Sequence, residues 1–215
     1  EVSDQRGFNQ NLTVGRNPGW GALRMTQDGA LYVAQYALSA SIEGRVMGCH
    51  FGTLTTPLAT AATTAITTLR PQAHVRVPDG TVIIPLAVNI LVESTGLTTQ
   101  GEIAIATTTV DPGDGTGAAG TQQPVGLNTA RPVTSNCTTR QLMTGDITAE
   151  TGLLELKRFS FALSAVNQDF TWNASQALVV PVLRGPAGLL VYIGGNAVNF
   201  YCQMQWIELT EASVS

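Results

Sequence analysis

The residues with the clearest chemical spacing lie in EIAIATTTVDPGDGTGAAGTQQP, positions 102–124. Gly115, Gly117 and Gly120 satisfy G-x-G-x-x-G. In a dinucleotide site that turn lets the backbone approach a pyrophosphate, and the helix that follows aims its N–H groups at it. The context here denies that reading. Thr121-Gln122-Gln123-Pro124-Val125-Gly126 has no apolar stripe and carries a proline and a glycine, so no helix starts there. No Asp or Glu stands between Gly120 and Asp146 to hold a ribose. Asp111 and Asp114 make a fragment of a calcium loop, but position 122, where a distal glutamate would complete it, is Gln. The stretch is expected to be a long exposed connection between strands, with no cofactor and no bound metal.

Other chemistry-bearing residues fare no better. Cys49 stands beside His50, yet neighbours on a strand point to opposite faces and cannot pass a proton directly. Cys49, Cys137 and Cys202 contain no C-x-x-C pair, and their odd number argues for buried free thiols rather than a disulfide framework. With His74 the only other histidine, a zinc cluster is not expected. Glu150 and Glu155 offer paired carboxylates of the kind glycoside hydrolysis uses, but loop and strand-surface roles suit them better. Trp20, Trp172 and Trp206 suggest a sugar-stacking platform, against which core or interface packing is the stronger reading. Neither G-x-S-x-G nor H-E-x-x-H occurs. No catalytic residue is assigned, and the chain is read as a non-enzyme.

The composition explains why chemistry is scarce. Of 215 residues only 12% are charged, and Lys157 is the sole lysine. Threonine fills the gap, in runs such as 53–56, 63–68 and 107–109. Threonine is β-branched and sits well on a half-buried pleated surface, so a Thr- and Gly-rich chain reads as all-β, its flanks covered by neighbours. A net charge of −4 with scattered arginines argues against direct nucleic-acid binding. No run of 18 apolar residues occurs, so no membrane span is expected. Three N-x-[ST] sequons, at Asn11, Asn136 and Asn173, are about what chance gives and imply no glycosylation. The chain opens at Glu1, which points to processing or trimming.

Residues 1–29, broken by five glycines and a proline, read as an extended N-terminal arm anchored by Phe8, Leu12 and Trp20. Residues 30–215 read as a single domain. Strands are expected at Ala30–Leu38 and Arg45–Leu54, while 55–69 is either helical or, from its threonine density, a strand or irregular segment. Val82–Val92 alternates with period 2, and Pro85 within it calls for an edge position or a bulge. Asp79-Gly80 before it is a hairpin signal. In Leu153–Leu163 the apolar phase switches, and a bulge near Lys157 would keep both sets facing the core. Ala177–Val182 and Gly188–Gly194 pair around RGPAG, and Asn199–Leu209 closes the domain with Phe200, Cys202, Met204 and Trp206 on one face. This pattern gives an all-β fold, a β-sandwich with jelly roll as the favoured topology.

The Gly-rich arm through Gly21, the segment LVVPVLRGPAGLLVYIGGNAVNFYCQMQWIEL and the tail TEASVS together resemble the small jelly-roll virion structural proteins of bacteriophages, the capsid decoration and coat proteins. The resemblance covers about a third of the chain. It implies a capsid subunit or decoration protein at the virion surface, with no catalytic residues. Its partners would be itself, as a homo-oligomer with a trimer foremost, and other capsid proteins. The absence of a basic arm favours a decoration role over genome packaging. A carbohydrate- or receptor-binding β-sandwich of the tail-fibre or adhesin type is the alternative.

Overall fold

The computed structural model describes residues 24–25, 31–32, 36–60, 65–95, 101–113, 118–119, 123–142, 147, 152–161, 167–177, 180–194 and 198–213. Phe8, Leu12 and Trp20 lie outside them, as do Gly115, Gly117 and Gly120. The chain divides into two compact units, Glu1–Ser39 and Ala40–Ser215. Within the first, Arg24–Met25 and Leu31–Tyr32 form a short antiparallel ladder.

The expected strand Ala30–Leu38 is overturned beyond Tyr32, because a helix α1 (Tyr36–Ile42) begins four residues later. Ala37, Leu38 and Ala40 are strong helix formers, and they outweigh the alternation that suggested a strand. Gly44 ends the helix at φ +77. Its N–H donates to the Ser41 carbonyl at 3.0 Å and the Arg45 N–H to the Ala40 carbonyl at 2.8 Å, the double bond of a Schellman cap.

Eight principal strands follow. They are β1 (Val46–Phe51), β2 (Ala73–Val77), β3 (Thr81–Thr95), β4 (Gly101–Thr108), β5 (Leu154–Phe161), β6 (Gln168–Asn173), β7 (Ala187–Gly194) and β8 (Val198–Thr210). One sheet runs β1-β8-β3-β6 and the other β2-β7-β4-β5, with every neighbouring pair antiparallel. First pairs with eighth, second with seventh, third with sixth and fourth with fifth. A long hairpin rolled up in this way is a jelly roll, so the β-sandwich expected from the sequence is the fold observed. Short pieces extend the sheets: Val125–Gly126 beside β1, Leu58–Ala59 beside β8, Leu183–Arg184 beside β3, and Thr138–Gln141 beside β2.

The core lies between the sheets, where Met47, Phe51, Phe161, Leu189, Phe200 and Trp206 are all at most 2% exposed. Burying each contributes about 1.5 to 3 kcal/mol relative to leaving it in water. The expected face of the last strand holds: Phe200, Cys202, Met204 and Trp206 all point into this core. Phe170 tilts against Phe159 at 5.4 Å and Phe161 at 6.0 Å, which closes the sandwich where the edge strands β5 and β6 meet.

Two bulges were legible, with corrections. In β5 the register against β4 shifts between Glu155 and Lys157, so Leu156 is the extra residue. Phe161 is buried and Leu156 and Phe159 pack on the core, but Leu154 is 61% exposed because this is a sheet edge. In β3, Gln205 faces Ala87 and Trp206 faces Pro85, so Leu86 is extra. Pro85 therefore sits in a central strand, tolerated at a bulge. The bulge also breaks the expected single apolar face: Val88, Ile90 and Val92 join the inter-sheet core, while Ile84 and Leu86 pack on the outer side.

Both hairpin assignments fail. The Asp79-Gly80 turn exists, with Thr81 N–H donating to the Pro78 carbonyl at 3.3 Å, but it carries the chain from β2 in one sheet to β3 in the other. Likewise Leu183–Arg184 pairs with Ile83 and Val82, not with β7, and Gly185 turns the corner. A Cβ on Gly185 would sit 1.9 Å from the Pro78 carbonyl oxygen, so the two corners touch where only glycine fits.

Candidate functional site

The residues singled out for chemistry are held apart or already engaged. Cys49 points into the core and its neighbour His50 onto the outer face of β1. Cys49, Cys137 and Cys202 are buried free thiols, and loss of solvent pushes each well above the ordinary thiol range. Trp172 and Trp206 lie in the inter-sheet core, so they form no stacking platform. Glu155 is bound by Arg158 at 2.5 Å, which holds its carboxyl below the usual range, and the same guanidinium reaches Glu102 at 2.8 Å. Its expected companion Glu150 lies outside the described residues.

Asp111, the first oxygen donor of the would-be calcium loop, is gripped by Arg76 through two hydrogen bonds of 2.7 and 2.6 Å. It also accepts the Gly113 N–H at 2.9 Å, and the guanidinium is the main cause of its lowered pKa. The site is a loop anchor. Among the described residues, no three His, Cys, Asp or Glu side chains come together as a metal site would require.

Glu208 is a second anchor, which sequence reasoning missed. Its buried carboxylate accepts the Ser135 hydroxyl at 2.5 Å, the Asn136 N–H at 2.8 Å and the Trp206 Nε1–H at 3.3 Å. A buried carboxylate with three donors is stable where an unpaired one would not be. Farther along the same excursion, Asn128 Nδ2 donates to the Ser41 and Ile42 carbonyls at 3.0 Å each, and Leu127 N–H to the Val46 carbonyl at 2.9 Å. These bonds fix residues 125–136 along the free edge of β1. The apolar side chains there stay in water: Ile42 is 56% exposed, and Val125, Leu127 and Val133 are 43–45% exposed.

A concavity of about 530 Å³ lies on the outer face of the β1-β8-β3-β6 sheet. Strand register builds its floor. Gln203 pairs with His50 on one side and Asn89 on the other, and Asn89 pairs with Thr171, so four polar side chains form a row straight across the sheet. The adjacent row is Tyr201, Leu91 and Asp169. With strands about 4.8 Å apart, the four-residue row is about 14 Å long. One wall is the turn after β1. Gly52 at φ +91 lies against the Tyr201 ring, and Thr53 Oγ1 accepts the Thr56 N–H at 3.0 Å. At its tip Leu54 is 98% exposed. Positions 50, 89, 171 and 203 share no motif, and only the register brings them together.

No family model and no curated protein matches the chain. Among solved structures, the VP1 pentamer of Human Polyomavirus 6 aligns over 79% of this chain and 96% of that one, at 8% identity and a TM-score of 0.29. That likeness is too loose to transfer a residue or a role.

Proposed function

We propose that the chain is a non-enzymatic structural subunit of a virion, a capsid or decoration protein that acts by packing on copies of itself and on other shell proteins. The observation that carries this reading is the patch of Ile42, Val125, Leu127 and Val133 along the β1 edge. Apolar groups held in water by a hydrogen-bonded clamp are a prepared contact surface rather than a frayed loop. Low charge and abundant threonine suit a surface covered by neighbours. The preferred assembly is a closed homo-oligomer, a trimer foremost. In this proposal the arm, residues 1–29, lies across the neighbouring subunit with Phe8, Leu12 and Trp20 in its grooves.

Light scattering during size exclusion tests the reading. The full chain is expected to run as a closed oligomer, and Leu127→Asp with Val133→Asp to reduce it to a monomer with an unchanged β signal in circular dichroism. A full chain that is monomeric at high concentration, or a double variant that keeps the oligomer mass, would overturn it.

A further inference from the structure

We infer that the outer-face groove crossed by His50, Gln203, Asn89 and Thr171 binds a neutral oligosaccharide. The chemistry of its floor selects the occupant. The amides of Asn89 and Gln203 each offer a donor and an acceptor, the Thr171 hydroxyl offers both, and the Asp169 carboxylate accepts only. Sugar hydroxyls are themselves donors and acceptors in close succession, so they match such a row. In the described structure the side chains of His50, Asn89, Thr171, Asp169 and Gln203 make no hydrogen bond to one another or to other described residues, so their capacity faces the groove. Tyr201 and Leu91 in the next row, with Leu54 on the wall, supply apolar surface for the C–H face of a sugar ring. The row, about 14 Å long, accommodates a short chain rather than one ring.

Other occupants fit less well. A peptide that adds a strand needs a free sheet edge, and this floor is a sheet face whose backbone is committed to the β1, β8, β3 and β6 ladders. Phosphate, sulfate or sialic acid would meet no arginine or lysine in the lining and would face Asp169. A lipid tail would strand five polar side chains. A second copy of the chain needs an apolar face, which this molecule carries on the β1 edge instead. The inference does not depend on the assembly proposal, since the two use different residues and different readouts.

The test is a glycan panel carrying neutral glucans, mannans, galactans and N-acetylhexosamine oligomers beside sialylated and sulfated glycans, with calorimetric titration of the strongest neutral hit. Binding is expected to be confined to neutral glycans. Asn89→Ala and Gln203→Ala should each weaken it by up to about tenfold, the loss of one or two hydrogen bonds, with melting temperature and oligomer mass unchanged. Leu127→Asp should leave it intact. The inference is overturned if no neutral glycan binds, if anionic glycans or free nucleosides bind better, or if binding survives both substitutions. A change of oligomer mass in Asn89→Arg would also sink it, by showing that another copy covers the face.

Discussion

On one side of Leu86, the outer face of β3 and β8 carries Val82, Ile84, Ile207 and Leu209, packed with Ala40 from the last turn of α1. On the other side the same two strands carry Asn89, Leu91, Tyr201 and Gln203 in an open groove. Backbone pairing is continuous from one half to the other except for the single extra residue. The difference therefore arises from what covers each half. Where a helix end seals the sheet, an outward residue must be apolar. Where nothing of the described chain lies over it, the outward residue is polar and available. The bulge makes the division tolerable, because it turns two consecutive residues, Leu86 and Ala87, outward and lets the halves follow independent patterns.

Three variants test this contrast. The largest effect is expected at Ile207, fully buried in the sealed half: Ile207→Ala should cost about 2 to 4 kcal/mol in urea denaturation. A loss below about 1 kcal/mol would mean that the helix end rests on the sheet without forming a second core. Gly44→Ala comes next. A side chain at φ +77 adopts the left-handed region, and its Cβ would lie 3.0 Å from the Arg131 carbonyl, so about 1 to 2 kcal/mol should be lost. Wild-type stability there would show that the cap is not what positions the helix end. Smallest is the open half: Asn89→Ala together with Gln203→Ala should shift stability by no more than about 0.5 kcal/mol. A larger loss would make the row structural and erase the contrast.

Much of the sealed architecture was readable from the sequence. The alternation from Phe200 to Trp206 correctly marked a core strand, and the phase change near Lys157 correctly marked a bulge. Turn signals were read at the right residues but given the wrong geometry. Asp79-Gly80 has the chemistry of a tight turn whether the chain returns beside itself or crosses to the facing sheet, and only the sheet pairing distinguishes the two. Helix α1 was missed because its first residues, Tyr36 to Leu38, were read as the end of the alternation that begins at Leu31. Glu208 looked like one more acid on a strand, since Ser135 and Asn136, which bury it, lie some seventy positions away. The groove was least legible of all, because its row draws on four strands from across the chain.

The position of β8 between β1 and β3 sets a timetable for making this protein. On its inner side Val46 pairs with Ile207, so at ribosomal speed that side of β1 waits on the order of ten seconds for the strand that completes its sheet. Throughout that interval β3, rich in valine and isoleucine, has an open side along which a second nascent chain can pair. Pro85 and the bulge at Leu86 interrupt its regular ladder near the middle. A feature that looks like a blemish at the centre of the finished sheet thus acts, before the sheet closes, as a guard on an unfinished edge.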